Sequence, residues 1–459
     1  MRVLLVSCYE LGHQPLHIAE PAAHLQPRGH DVRALDLSVE PWDDGAAEWA
    51  DRIAFSVPMH TATRIARTAI GAVRTVRPDV PVCCYGLYAQ MAADVADHVI
   101  AGETTGALVD WVEGREFSHA PVVRLGREAA APGAPRPARD LLPALDHYAH
   151  LVTGDGCGPE SRIPVAYVEA SHGCAHRCAH CPVPVVYAGR IRIVDADAVL
   201  ADIAQQVAAG ARHVTFGDPD FLNGVHHSRR VVRALHDTFP DVTFDCTVKV
   251  EHVLRHADLW PEFSAAGCRF VVSAFESVND DILGRLDKGH TTADASRAVE
   301  VLRGAGIEVR PSFLPFTPWT THHDVRALLE FVADHDLVEN VDPIQYTIRL
   351  LIPRGSLVLR LPDVAALVGP YDDERGTYEW ASADPALDAL QRRLAAIVEA
   401  QVELGTPIPE VYAAVCGAAG APVPDPLPPV RGRPRLSEPW FCCAEPTAQQ
   451  ITLTTNAGR

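Results

Sequence analysis

The stretch IPVAYVEASHGCAHRCAHC, residues 163–181, joins a short apolar run of β type to a loop that carries Cys174, Cys178 and Cys181. Working outward, RHVTFGD, VTFDCTV, RFVVSAFES, IEVRPSFL and IQYTIRLL are further β-type runs, and helical patterns such as DADAVLADIAQQVAAG, HSRRVVRALHDTF and TADASRAVEVLRGAG separate most of them. Six such units predict a partial (β/α)6 TIM-type barrel over residues 161–355, with chemistry at the C-terminal ends of its strands. The three cysteines follow the first of those strands, which puts them at the barrel mouth.

Spacing alone leaves their use open. Three thiolates separated by three and then two residues can wrap one side of a [4Fe–4S] cluster and leave one iron without a protein ligand. A structural zinc ion wants four ligands, and His172, His176 or His180 could supply the fourth. A disulfide would leave one cysteine over and would conflict with a reducing compartment.

The motif CAHRCAHC matches the CxxxCxxC signature of radical S-adenosylmethionine (SAM) enzymes. Further pieces align in order over about residues 160–355: GDPDF (Gly217 to Phe221) after the second strand, FESVNDDILGRLDKGHT (Phe275 to Thr291) at the fourth, and GIEVRPSFLPFTPWTT at the fifth. The resemblance implies a [4Fe–4S] cluster on Cys174, Cys178 and Cys181, SAM on the open iron, and reductive cleavage of a carbon–sulfur bond. The protein's part is to bind, orient and exclude water. It also implies a small-molecule substrate and a reducing partner such as flavodoxin or ferredoxin.

Other residues gain candidate roles from that frame. Glu276 and Ser277 end the fourth strand, where they could meet the SAM amino group or ribose hydroxyls; a surface ion pair is the plainer use of the Glu. Asp218 could accept from the SAM ammonium, and Asp220 follows the second strand in the same way, although GDPD is also an ordinary turn. His180 occupies the position before the last cysteine, where an aromatic residue commonly packs on adenine. Lys249, Arg310 and Arg349 lie on or near predicted strands, where a buried cation needs a partner, either a structural carboxylate or an anionic ligand.

Residues 1–124 alternate RVLLVS, HDVRALDL, RIAFSVP, VPVCCYG and ADHVIAG with helical patterns. This predicts a doubly wound parallel sheet of Rossmann-like type, with ligands at the carboxyl ends of its strands near Ser7 to Tyr9, Val57 to His60 and Tyr85 to Tyr88. Cys83 and Cys84 end an apolar strand and read as core. With ADHVIAGE (Ala96 to Glu103) and DLLPALDHYA, this domain resembles the cobalamin-binding domain that precedes many radical SAM barrels, which implies cobalamin as a further cofactor. The cobalt-ligating DxHxxG loop has no counterpart: the first strand runs into CYELGHQPLH, leaving His13 and His17 as candidates, and the Gly-Gly turn reads CCYGLYA. Residues 125–160 form the expected linker, opening on the Ala/Pro/Gly-rich LGREAAAPGAPRPARDLL.

Residues 356–459 are expected as a helical and irregular extension. PALDALQRRLAAIVEAQVEL is an amphipathic helix, and GAPVPDPLPPVRGRPRLSEPW is too proline-rich for a regular element. Cys442 and Cys443 then stand side by side; such a pair can be inert, form a vicinal disulfide or bind a soft centre. PWFCCAEP resembles the tail of the CUAEP/CCAEP-tail radical SAM (seleno)proteins, whose selenoprotein members carry selenocysteine at the position of Cys443. The resemblance implies a reactive dithiol folding back over the barrel mouth, holding a thiophilic metalloid or a sulfur or selenium species. The competing readings are a cobalamin-dependent methyltransferase and, in another class, a non-catalytic zinc-stabilised binding or sensor protein.

Composition limits the partners. A formal charge of −19 over 459 residues repels nucleic acid and anionic membranes. No apolar run reaches the ~18 residues of a membrane span. MRVLLVSCYELG reads as a first strand rather than a signal peptide, so the cytoplasm is the expected compartment.

Overall fold

The computed structural model describes residues 1–102, 104–115, 135–154 and 162–438. Cys442 and Cys443, together with most of the Ala/Pro/Gly-rich run, lie outside the described residues.

In the N-terminal domain β1 (Arg2–Ser7), β2 (Asp31–Asp36), β3 (Arg52–Ser56), β4 (Val82–Tyr85) and β5 (His98–Ile100) form one parallel sheet in the order β2-β1-β3-β4-β5. Both faces are covered, which is why its strands read as unbroken apolar runs. Leu4, Val6, Ile53 and Phe55 pack with residues of the helices Asp44–Trp49 and His60–Val76, whereas Val3, Leu5 and Ala54 pack with Leu16–Leu25 and Thr105–Val112. Cys83 and Cys84 belong to these two opposite faces. They are core residues, and burial pushes the Cys84 thiol up to about 12.

The second sheet contains β6 (His150–Val152), β7 (Arg162–Val168), β10 (His213–Phe216), β11 (Thr243–Thr247), β12 (Cys268–Glu276), β13 (Glu308–Phe313) and β16 (Arg435–Leu436), in the order β13-β12-β11-β10-β7-β6-β16. From β7 to β13 all pairings are parallel, and β6 and β16 are antiparallel additions at one edge. A small hairpin of β8 (Ser171–Gly173) and β9 (Ile191–Ile193) brackets the cysteine loop, and a second of β14 (Val368–Asp372) and β15 (Thr377–Trp380) lies beyond the barrel.

Two expectations need correction. IQYTIRLL is not a full sixth strand: Pro343–Tyr346 is a 3-10 turn, and the sixth position is held by one parallel bridge between Phe316 and Arg349. The Gln345 side chain takes over a strand's work, its amide oxygen accepting from Phe313 N at 3.0 Å. The proline-rich run, expected to be wholly irregular, ends in β16, where Arg435 and Leu436 pair with Val152 and Leu151. Both residues lie between Pro434 and Pro439 and keep the N–H that a ladder needs. β16 nearly closes the barrel, because Leu436 packs against Phe270 and Val272 of β12 on the far side.

The expected C-terminal helix is present as Pro385–Glu403. A further helix, Ile408–Ala419, opens with Pro409 and stops at Gly420, whose φ of 69° gives the left-handed cap that glycine enters without penalty.

Candidate active site

The carboxyl ends of both sheets open into one cavity. Cys174, Cys178 and Cys181 line one wall; Glu10, Met59, Gly86, Tyr88, Gly102 and Thr104 line the wall formed by the N-terminal domain. Each domain thus presents the strand ends at which sheets of this kind bind ligands.

The cysteine loop is held by its backbone. Gly173 has φ +77°, and a Cβ there would stand 2.4 Å from Arg190 O, so only glycine fits the turn. Ala175 N donates to Asn223 Oδ1 at 3.3 Å, Ala179 N to Leu286 O at 2.8 Å, and Val358 N to Ala179 O at 3.1 Å. Cys174 and Cys178 are buried and Cys181 half-buried. Among the described residues they do not form a group whose ligand atoms all lie within 4.8 Å of one another. Thiolates on a single zinc ion, with bonds of about 2.3 Å, would stand ~3.8 Å apart. Three thiols at this spacing on one loop have the donor chemistry to hold a [4Fe–4S] cluster. The three nearby imidazoles turn instead to carboxylates: His172 to Glu169, His176 to Asp220 and His180 to Glu276.

Behind the loop lies a buried ion array. His180 Nε2 is 3.1 Å and Lys288 Nζ 3.2 Å from Glu276 Oε1. Burial alone would raise the Glu276 carboxyl, but the facing Lys288 and His180 overcome it and hold the carboxyl down at about 2. Glu276 also has φ +63°, a strained conformation for a non-glycine residue, at the end of β12. Asp218 lines the cavity, yet its two oxygens accept from Ala170 N at 2.9 Å and Ser171 Oγ at 2.5 Å. Its carboxyl is pushed up to about 7 by burial.

The cavity therefore brings together the three cysteines, His180, Asp218, Asp220, Lys249 and Glu276. Ser277 is buried with its hydroxyl accepting from Asn279 N, and it is not among the lining residues. Arg310 pairs with Asp342 at 3.0 Å, and Arg349 pairs with Asp388 at 2.6 Å while lying 3.5 Å over the Trp380 ring; both stand apart from the cavity wall. Lys288 went unnamed at the sequence level although the LDKGHT segment that carries it was in view. Tyr167 and Glu169, joined by a 2.9 Å hydrogen bond, carried no sequence signal at all.

For cobalamin the wall offers space and a tight turn: Gly86 has φ +121°, and a Cβ would meet Val57 O at 2.9 Å. It offers no ready imidazole. His13 is buried and stacked on Tyr167 with ring centroids 4.8 Å apart, and His17 places Nδ1 3.0 Å from Glu10 and Nε2 3.5 Å from Glu169.

Comparison with known proteins agrees with this geometry. Residues 168–332 match the model of the radical SAM superfamily. The hopanoid C-3 methylase of Methylococcus capsulatus is 24% identical over 332 residues, 67% of this chain and 62% of that protein. The chain spans between 41% and 62% of the length of the curated relatives it matches. Among solved structures, the cobalamin-dependent SAM radical enzyme OxsB, with aqua-cobalamin and SAM bound, superposes with a TM-score of 0.65 at 12% identity, covering 87% of this chain and 67% of that one. The radical SAM methyltransferase TsrM of Kitasatospora setae gives 0.59 at 18% identity, covering 86% and 88%. At such identities the likeness is one of fold, and it extends over both domains. The chain carries a radical SAM domain, an enzyme's domain whose family uses a [4Fe–4S] cluster and SAM. Among the described residues no helix is long and apolar enough to cross a membrane.

Proposed function

We propose that this chain is a radical SAM enzyme that modifies a small substrate in the cavity between its two sheets, and that Cys442 and Cys443 hold that substrate. When bound, the cluster supplies one electron and an open coordination position for cleaving a carbon–sulfur bond of SAM. The chain's own residues do the rest. Cys174, Cys178 and Cys181 are the ligands, Lys288 and His180 fix Glu276 beside the loop for the SAM amino group or ribose, and Asp218 ties the loop's entry to the end of β10. The two sheets exclude water from the reacting atoms.

The observation that carries the tail's part is the course of the chain after β16. Leu436 lines the same cavity as the three cysteines, and Tyr9 donates a 2.5 Å hydrogen bond to Glu438 at the seam between the domains. Six further residues span at most ~20 Å, enough to bring Cys442 to the cavity from Leu436. A thiophilic metalloid or a sulfur or selenium species is the substrate class that such a dithiol suits.

The test is anaerobic reconstitution with iron, sulfide, SAM and dithionite, followed by mass spectrometry. 5′-Deoxyadenosine signals an adenosyl radical, and methylthioadenosine signals cleavage of a different bond. The Cys442→Ser/Cys443→Ser variant is expected to cleave SAM while losing substrate turnover, so full turnover in that variant would sink the tail's role.

A second reading, cobalamin-dependent methyl transfer, draws on the glycine-turned wall of the N-terminal domain. With His13 stacked on Tyr167 and His17 facing Glu10 and Glu169, neither of these two would serve as the cobalt ligand without leaving its partners. A corrin spectrum retained after anaerobic purification with hydroxocobalamin supports it, and protein that emerges free of corrin removes it.

A further inference from the structure

A second cluster of ligating atoms lies beside the cysteine loop and takes no part in the readings above. Asp220 stands before the short 3-10 helix Phe221–Gly224 and spends Oδ1 on Leu222 N at 3.1 Å. Its other oxygen, Oδ2, is 2.8 Å from His252 Nδ1 and 3.3 Å from His176 Nε2. The two imidazoles come from different elements, the cysteine loop and the helix Val250–Arg255, and their ring centroids are 4.7 Å apart. All three atoms are buried and lie within 4.8 Å of one another, with Asp220 Oδ2 facing both imidazole nitrogens. Three donor atoms that converge in this way leave room for an ion that accepts from all three. Two imidazoles and one carboxylate are the donor set of divalent zinc-type and facial-triad metal sites.

We propose that His176, Asp220 and His252 bind a divalent cation of the zinc type, distinct from the site on the three cysteines. Bonds of about 2.1 Å would bring the donors to ~3.0–3.5 Å from one another, close to the separations already present on either side of Asp220 Oδ2. His176 and Asp220 also line the large cavity, so coordination positions not filled by protein face the substrate and would take an oxygen or sulfur donor from it. One cation opposes the ion: Lys249 Nζ is 3.2 Å from His176 Nδ1. Glu251 Oε2 answers it, 3.7 Å from Lys249 Nζ and 3.8 Å from His176 Nδ1. Arg255 also pairs with Glu251, so Asp220 and Glu251 stand against two cations and the cluster is formally neutral before an ion arrives. In this structure Lys249, which can only donate, faces Nδ1; coordination through Nε2 would put the His176 proton on Nδ1, so Lys249 must turn from Nδ1 toward Glu251 as the ion binds.

The test uses the full-length chain without a polyhistidine tag and with Cys174, Cys178 and Cys181 replaced by Ala, so that these thiols bind nothing. Titration with Co²⁺ is expected to give one equivalent with visible d–d bands and no thiolate-to-cobalt charge transfer in the near ultraviolet. Zn²⁺ should displace it. Adding His252→Ala or Asp220→Asn should abolish stoichiometric binding, and Lys249→Gln should tighten it about tenfold by removing the opposing charge. In the wild-type cysteine background, His252→Ala should still take up iron and sulfide, which separates loss of this site from loss of the fold or of the cluster. No stoichiometric Co²⁺, binding unchanged by His252→Ala, or a charge-transfer band from the remaining cysteines would overturn the proposal.

Discussion

Glu276 meets three demands at once: a left-handed backbone at the end of β12, near-complete burial, and a negative charge. The backbone strain costs roughly 1–3 kcal/mol, which the surroundings must over-determine. Here Leu314 N donates to Glu276 O, and Lys288 and His180 hold the carboxylate from the other side. A buried pair of this kind is weak as a source of net stability but expensive to break on one side. Lys288→Met leaves the buried carboxylate with His180 as its one remaining partner and is expected to cost about 3 kcal/mol in chemical denaturation. Lys288→Met/Glu276→Leu should regain most of that loss while SAM binding stays impaired. Recovery of SAM affinity in the double variant would mean that the pair serves stability alone. At Gly173 the restriction is steric: Gly173→Ala places a methyl group against Arg190 O and Tyr187. The expected result is reduced iron and sulfide uptake with unchanged far-ultraviolet circular dichroism.

Among the elements, β16 is the smallest and joins the most. Its Leu436 packs with Leu151, Val165, Phe270 and Val272, bridging the two edges of an otherwise open barrel, and the preceding Arg433 reaches Asp336 and Asn340. Leu436→Asp puts a charge into that cluster and is expected to release the C-terminal segment locally. Trypsin should then cut at Arg431, Arg433 or Arg435 at least about tenfold faster. Substrate turnover should fall as in the tail-cysteine variant while SAM cleavage persists; resistance to trypsin equal to wild type would contradict the docking role of β16. The same strand shows where the sequence stops being legible. The strands from β7 to β13 could be read because buried parallel strands are continuous apolar runs, and the cysteine loop because its chemistry is set by local spacing. β16 could not, since a two-residue strand has no periodicity and its partner β6 lies in a distant segment. IQYTIRLL carried a strand's pattern, but Pro343 and the Gln345 bond to Phe313 N turned it into a 3-10 turn. Glu276 was visible as a strand end, whereas its dependence on Lys288 is a tertiary contact.

At the scale of the molecule, the site exists only while the two sheets keep their relative position, because each supplies one wall of the cavity. Arg139, near the end of the Ala/Pro/Gly-rich run, is one weld: it pairs with Asp202 at 2.8 Å and donates to Gln14 O at 2.8 Å and Tyr167 O at 2.7 Å, joining the first domain's loop to the barrel. His13, stacked on Tyr167, is another. Burial pushes the His13 imidazole down to about 4, although Asp245 and Glu10 pull the other way. The unfolded chain takes a proton on this ring near the ordinary 6.5 and the folded chain only near 4, so the unfolded state holds more protons between those values. Stability from this group is therefore complete above about pH 6.5 and is lost as pH falls toward 4, by about 3 kcal/mol in all. His17 does not blur the window: burial lowers its pKa, Glu10 and Glu169 outweigh that and carry it up to about 10, and its contribution changes only between 6.5 and that value. Other buried groups add their own slopes, Asp218 with the opposite sign, so the informative quantity is the difference between wild type and a His13 variant. His13→Phe keeps an aromatic ring on Tyr167 and removes the titration. Thermal unfolding from pH 4 to 7 should show the variant gaining on wild type as the pH falls and matching it near neutrality, and parallel curves across that range would remove His13 from the acid sensitivity of the interface.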